Sequence, residues 1–532
     1  VNIQNTPYPP KALSDFLRQS AWGNKPSGLY PAEGLSANVA PILEAIAAKH
    51  SLAQRGVLQS VFSDQMCGAL SDVQQQNINL LGDPNTFTVV TGQQIHIGLG
   101  PAYVLYKIVS AINYCNHLKS QYPNQHFVPV FWMATEDHDV NEIAYFSLNQ
   151  EKYTWDKPWS TAVGDMPTSD LAGLFDWLET QMGGGEAVKL RIQAVRNLYL
   201  KEGATLASTT MQWISELFGK FGLLVLDPRD VRLKLLAKPL FEKALQGDAM
   251  LEAFQSSTTA LKDAGQIPPA HVGKSLLFWM DGQRRVRIER TPDGYHTIDG
   301  SFQWSQDEIN QILGSDDICH LSPNVLLRPL YQQTILPCVA YVGGPSEYLY
   351  WLQTPNAFSQ AGLVAPQLLH RKGGVVVTPS QRKKLDKLQI SRIACFEEIE
   401  TLKQNIVAKE LGENELLSAI DETKRQLENQ LKTLYGWKSP LLGEAKKHVD
   451  AFVKWNQKLG ESATDAFVES KFSADNWGSI AQILERNFSV SNPQERQLFW
   501  VQYYFVYGQA WIEELAKSMG YAENDAFFLI EP

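Results

Sequence analysis

FVPVFWMATEDHDVNEI, residues 127–143, decides how the chain is read. Phe127 to Ala134 is an apolar run without polar alternation, which predicts a strand buried on both faces. It runs straight into Glu136-Asp137-His138-Asp139, with Glu142 one helical turn further on. Four ionisable groups at the carboxyl end of a buried strand are poorly explained as packing. In an open α/β sheet that edge is where ligands bind. Carboxylates beside an imidazole also perturb one another's pKa values, as acid–base sites require. Glu136, Asp137, His138 and Asp139 are therefore the candidate catalytic residues. They could activate a nucleophile or bind an ammonium group. No metal is expected, because no second His or Cys group lies at ligand spacing.

Working outward, Phe87 to Gly92 forms a second buried-strand candidate, and a helix is expected over Ala102 to Leu118. Strand, glycine-bearing loop, helix and the 127–134 strand make a βαβ unit of the doubly wound type. The loop, TGQQIHIGLGP at 91–101, has the composition of one where backbone N–H groups meet an anion. It matches neither the dinucleotide nor the P-loop signature. Further strands are expected at 223–226, 338–342, 364–365 and 375–378, and a meander at 275–298 with turns at Asp281-Gly282 and Asp293-Gly294. Gly343-Gly344-Pro345 follows one of these strands and opens a helix with Glu347 in its first turn. Arg328 and Gln332 share one helical face and could reach a carboxylate or phosphate. Arg371-Lys372-Gly373-Gly374 reads as a solvated basic face.

Beyond Ser380 the pattern becomes helical. Leu417, Ile420, Lys424, Leu427, Leu431 and Leu434, then Ala445, His448, Phe452, Trp455 and Leu459, repeat at heptad spacing. Two such helices predict an antiparallel coiled-coil hairpin, and with it a homodimer. A last helix, Pro493 to Met519, is aromatic on nearly every face and should be buried. Five divisions follow: 1–150 and 321–388 as the two halves of the core, 151–320 as insertions, 389–490 as the coiled-coil region, and 491–532 as a helix packing back on the body.

At 532 residues, 44% hydrophobic and 20% charged, the chain is globular in composition. A net charge of −10 argues against a nucleic-acid surface. No apolar run approaches a membrane span, and five scattered cysteines without CxxC suit a reducing cytoplasm.

His96-Ile97-Gly98-Leu99 looks like the HIGH signature of class I aminoacyl-tRNA synthetases. Taken together, VVTGQQ…GP-Y…YK (89–107), PVFWMATEDHDVNEI (129–143) and NVLLRPLYQQTILPCVAYVGGPSEYLYW (324–351) resemble the BshC family, the cysteine-adding enzymes of bacillithiol biosynthesis. FGLLVLDP (221–228) and LLHRKGG (368–374) fit as well; Ile95 to Gly98 departs from the family pattern. The resemblance implies an α/β fold: a Rossmann-like, class I synthetase-like core with connective insertions and a C-terminal antiparallel α-helical coiled coil that dimerises. It implies a ligase that joins cysteine to the glucosamine amine of glucosaminyl malate, with ATP-Mg as the expected source of activation. Thr91, Gly92, Gln93, Gln94, Gly100, Tyr103, Lys107, Arg328, Gln332, Gly343, Gly344, Glu347 and Arg371 become the expected substrate- or nucleotide-binding residues. By class I analogy Gln93, Gln94 and Lys107 would face phosphate or carboxylate, and Asp137 would hold the cysteine ammonium. His138 or Glu136 would take the amine's proton, and Arg328 or Arg371 would hold the malate carboxylates. A non-catalytic coiled-coil scaffold, or a synthetase-like enzyme acting on another acceptor, are the alternatives.

Overall fold

The computed structural model describes residues 2–6, 27–34 and 37–411 apart from 67, 69, 150, 161, 283 and 388–393, scattered positions over 419–462, and 464–469, 474–489, 492–520 and 527–532. The chain forms two compact units, Val1–Gly374 with Glu495–Pro532, and Val375–Gln494.

The first unit is built on a parallel five-stranded sheet. In chain order its strands are β1 (Thr86–Gln93), β2 (His126–Met133), β3 (Leu224–Leu226), β4 (Cys338–Gly343) and β5 (Gln367–His370). They lie side by side as β5-β4-β1-β2-β3, every pair parallel. From β1 the chain winds one way to β2 and β3, then returns to the other side of β1 for β4 and β5. The order therefore reverses between β1 and β4, the point where open α/β sheets bind ligands beyond their carboxyl ends. β-Branched and aromatic residues fill β1 and β2, which are buried almost throughout. Pro129 interrupts β2 just before the Val130–Trp132 stretch that β3 covers, so its missing N–H leaves that ladder intact.

Helix α1 (Ala102–Gln121) connects β1 to β2 and is buried on most of its surface. One side packs on the sheet. On the other, Asn113 Nδ2 donates to the carbonyls of Ala516 and Met519, closing the end of the C-terminal helix Gln509–Ser518. The expected single helix at 493–519 is instead three, Gln494–Gln497, Val501–Tyr507 and Gln509–Ser518. Gly508, at φ 72°, turns the chain between the last two. After β3 the chain forms two short helices, α2 (Val231–Leu236) and Lys238–Gln246, with Pro239 opening the second. The strand expected at 364–365 begins only at Gln367, after Pro366, and the one expected at 375–378 runs over Gly373–Val376. The meander forms as an antiparallel sheet of Leu277–Met280, Arg285–Thr291, Gly294–Thr297 and Gln303–Trp304, joined by Leu321–Pro323. Two helices then lead into and out of β4: α3 (Arg328–Ile335) and α4 (Pro345–Trp351).

The second unit contains helices Pro379–Lys387, Ile399–Leu411 and Ala474–Phe488. Phe396 meets Phe488 edge-on, and Lys403 joins Glu400 to Asp465. The heptad positions 417, 420, 424, 427, 431, 434, 445, 452 and 459 lie outside the described residues.

Candidate active site

A cavity of about 810 Å³ opens at the carboxyl ends of β1, β2 and β4. Its floor is held by one buried ion pair. Lys107, on α1, puts its ammonium 2.5 Å from Glu347 Oε2, on α4. The same ammonium donates to the Gly92 carbonyl and to Gln93 Oε1 (2.8 Å). Glu347 also accepts from Tyr341 Oη (2.7 Å) and the Gly344 amide (2.9 Å). Burial lowers the pKa of Lys107 against the pull of Glu347. Burial pushes Glu347 up, but Lys107 and its hydrogen bonds hold it below the usual carboxylate range. The two groups satisfy one another across this contact. Space beside them is tight, since a Cβ on Gly343 would lie 3.1 Å from both Glu347 and Tyr341.

Arg328 is placed differently. It enters at the first turn of α3 and is enclosed by rings, its guanidinium 5.3 Å from the Tyr341 centroid and 5.9 Å from those of Trp132 and Trp351. It donates to Gln332 Oε1 (3.1 Å) and Tyr350 Oη (2.8 Å). Burial opposes its charge, yet Tyr350, Tyr341 and Glu347 hold its pKa above the ordinary arginine value. Among the described residues no carboxylate stands within ion-pair distance of Arg328, nor of Arg285 or Arg496, which also line the cavity.

The cluster after β2 is divided by a tight turn. Asp137 faces the cavity, and its Oδ2 accepts from Gln94 Nε2 at 2.5 Å. Its Oδ1 accepts from the backbone amides of His138 (2.7 Å) and Asp139 (3.4 Å). That turn leaves the His138 and Asp139 side chains exposed and out of the cavity lining, with His138 Nδ1 3.7 Å from Asp137. Glu136 turns inward to an ion pair with the fully buried Lys234 of α2 and accepts from Ser322 Oγ (3.1 Å).

Of the residues expected from the sequence, the cavity gathers Gly92, Gln93, Gln94, Tyr103, Lys107, Glu136, Asp137, Arg328, Gly344, Glu347 and Arg371. Burial pushes the Tyr103 hydroxyl up to about 12. Thr91, Gly100, His138, Asp139, Gln332 and Gly343 are not among its lining. Thr91 Oγ1 donates to the Val342 carbonyl and so ties β1 to β4, while Gln332 orients Arg328. The anion-loop expectation fails beyond Gln94. Gly98, Leu99 and Gly100 all have positive φ, and the loop packs inward, with a Cβ on Gly98 landing 2.4 Å from the Phe146 ring. His96 goes with it, edge-on to Tyr145 and Phe499, so the HIGH-like tetrapeptide does not reach the cavity. Arg371 and Lys372 are buried rather than solvated, Arg371 in a two-pronged pair with Glu495 (2.9 and 2.5 Å). Sequence reasoning missed Arg285, Arg496, Trp132, Tyr145, Tyr341 and Tyr350 as lining residues. Among the described residues no three His, Cys, Asp or Glu side chains converge as a metal ligand set.

Comparison with known proteins decides the family. The profile of the "Bacillithiol biosynthesis BshC, N-terminal Rossmann-like domain" matches residues 36–372. A "Putative cysteine ligase BshC" of Flavobacterium johnsoniae is 31% identical over 458 residues, covering 85% of this chain and 84% of the relative. The chain belongs to the BshC family. A second BshC relative, from Christiangramia forsetii and of the same printed name, is 31% identical over 484 residues, 88% of this chain and 87% of its own. As a BshC protein the chain is an enzyme of the ligase class. A solved structure titled as a putative arginyl tRNA synthetase from Campylobacter jejuni aligns at 9% identity with a TM-score of 0.22, covering 84% of this chain and 97% of that one, too remote to bear on the fold. No helix among the described residues is long and apolar enough to cross a membrane.

Proposed function

We propose that this BshC protein joins the cysteine carboxylate to the glucosamine amine of glucosaminyl malate, the last step of bacillithiol biosynthesis. The supporting observation is one cavity in which Asp137 stands with Arg285, Arg328 and Arg496, which have no carboxylate within ion-pair distance among the described residues. That arrangement suits an ammonium at one end and several anionic groups at the other.

A carboxylate and an amine do not condense usefully in water, so ATP-Mg supplies the activation. The cysteine carboxylate oxygen attacks the α-phosphorus and displaces pyrophosphate, giving a cysteinyl adenylate. The glucosamine amine then attacks the acyl carbon; AMP leaves and the amine loses one proton. Asp137, fixed by Gln94, holds the cysteine ammonium. Arg328, fixed by Gln332 and Tyr350, receives a malate carboxylate or a phosphate. Lys107 and Arg371 are already neutralised by Glu347 and Glu495, which makes them positioning residues. Glu136, paired with Lys234, is likewise spent as a proton acceptor. The homodimer belongs to this reading on the heptad pattern alone; the Leu427→Glu/Leu431→Glu variant should be a monomer by light scattering.

Purified protein given cysteine, glucosaminyl malate and ATP-Mg should form the amide, seen as a new thiol conjugate by mass spectrometry. AMP should accumulate. ADP instead would replace the adenylate by an acyl phosphate, and absence of product from folded protein would favour the scaffold alternative. Asp137→Asn should lower turnover by ~100-fold or more. His138→Ala, outside the cavity, should change it far less.

A further inference from the structure

Arg285 reaches the cavity from outside the parallel sheet, at the start of the antiparallel strand Arg285–Thr291. Its guanidinium lies over Phe278, 3.9 Å from the ring centroid. Nε donates to Ser322 Oγ (3.1 Å) and Nη2 to the Pro323 carbonyl (2.9 Å). Ser322 Oγ in turn donates to Glu136 Oε2, whose other oxygen takes the Lys234 ammonium. Lys234, Glu136, Ser322 and Arg285 are therefore one chain of contacts in which two cations share a single carboxylate. Lys234 is next to Glu136, so the uncompensated charge falls on Arg285, at the cavity wall. Nη1 has no partner among the described residues and is the donor left over.

Asp137 follows Glu136 directly in the chain and lines the same cavity. Burial lowers the Arg285 pKa, while Glu136 and Asp137 both act to raise it, so the two cavity groups feel each other's charge. They do not form an ion pair: Asp137 is taken up by Gln94 and its own turn, and Arg285 by Ser322 and Pro323. A fixed anion and a fixed cation, held apart on one wall, complement a zwitterion. In an α-amino acid the ammonium and carboxylate are separated by one carbon, and each would find its counterpart here.

We propose that Arg285 is a specificity-determining residue that holds the α-carboxylate of the amino-acid substrate while Asp137 holds its ammonium. Ser322 acts as the positioning residue, since it connects Arg285 to Glu136. The class of substrate, an α-amino acid, follows from the two charges; that it is cysteine rests on the ligase reading above.

Calorimetric titration of the full chain, with α,β-methylene ATP present, separates the two charges. The probes are L-cysteine, cysteamine (no carboxylate) and 3-mercaptopropionate (no ammonium). Arg285→Gln should weaken L-cysteine by at least ~10-fold and leave cysteamine unchanged. Asp137→Asn should weaken cysteine and cysteamine and spare 3-mercaptopropionate. Ser322→Ala should weaken cysteine by about threefold, and Arg285→Lys, which keeps the charge, should restore part of the loss seen with glutamine. Should the glutamine variant fail to fold, the lysine variant with its lost fork still has to bind cysteine more weakly and cysteamine equally. Parent-like cysteine binding by either Arg285 variant, equal weakening of cysteine and cysteamine, or no binding of any α-amino acid by the parent overturns the proposal. Arg285-dependent binding of some other α-amino acid in place of cysteine would keep it and remove the cysteine ligase. Amide formation with an unchanged KM for cysteine in Arg285→Gln would do the reverse.

Discussion

Two cavities of almost equal size flank the end of β2, and Glu136 lines both. One, of about 810 Å³, is the switch-point cavity; the other, of about 820 Å³, lies toward β3. The difference is in how charge is settled. In the second cavity Arg229 donates to Asp227 and pairs with Asp165, Asp230 pairs with Arg232, and among the described residues the exposed Lys201 is the one lysine or arginine of the lining without a partner. Its other lining is largely soft or neutral, with Met66, Met133, Met211 and Met280. In the switch-point cavity the part-buried Arg285 and Arg328, and the exposed Arg496, have no carboxylate within ion-pair distance among the described residues. Volume does not mark the site. What marks it is two part-buried arginines, Arg285 and Arg328, that no carboxylate among the described residues neutralises, which leaves their charge for an anionic ligand.

The largest effect should come from breaking the wall between the cavities. Lys234→Met leaves Glu136 buried and unpaired, which costs about 3–5 kcal/mol, and urea unfolding should show it. Changing both partners to apolar residues should recover most of that loss. If Glu136→Gln instead abolished turnover in a protein of parental stability, the pair would be part of the chemistry rather than the wall.

Arginines on the two sides sharpen the contrast next. Arg328→Gln removes an unpaired charge from the proposed site and should lower kcat/KM by ~100-fold, about 2.7 kcal/mol of transition-state stabilisation. Stability should scarcely fall, since no carboxylate is orphaned. Arg229→Gln should do the opposite. It leaves Asp227 and Asp165 without their cation, costing about 1–3 kcal/mol of stability, with kcat/KM within about threefold of the parent. Matching losses of activity in both variants would erase the distinction drawn from charge pairing.

The distinction was only half legible in the sequence. Buried strands at the centre announce themselves, since FTVVTG, FVPVFWM and CVAYV are apolar runs that end in polar loops, and three of those loops meet at one sheet edge. Asp137 was marked by its place after β2. What the sequence hides is partnership. Glu136 finds Lys234 98 residues away, and Arg371 finds Glu495 124 residues away. Without those partners, a buried pair and a site residue look alike in one dimension. Arg285 was missed for the converse reason: in RRVRIER it reads as one charge on an exposed strand face. Trp132, Tyr341 and Tyr350 read as core, and they are core and cage at once.

The smallest effect concerns His96, four residues beyond Gly92 and on the other side of the boundary between site and scaffold. Desolvation pushes its pKa down to about 4, and its ring is packed edge-on against Tyr145 and Phe499. An unfolded chain returns it to ~6.5. Between those values the unfolded state binds a proton that the folded state refuses. The stability tied to His96 is therefore complete above the unfolded value and drains away as pH falls toward the folded one. At pH 5 the loss is about 2 kcal/mol. His96→Phe keeps an aromatic ring in the cage and removes the titration. The fall in unfolding free energy between pH 7 and pH 5 should shrink by about 2 kcal/mol. It should not vanish, since burial also pushes His50 and His370 down. Turnover at pH 7 should match the parent, because no atom of His96 lines the cavity. A ~100-fold loss of kcat with the acid sensitivity unchanged would mean that His96 acts on phosphate as the HIGH-like tetrapeptide suggests. The inward packing of residues 95–100 would then be a resting arrangement, and the boundary drawn here between Gln94 and Ile95 would have to move.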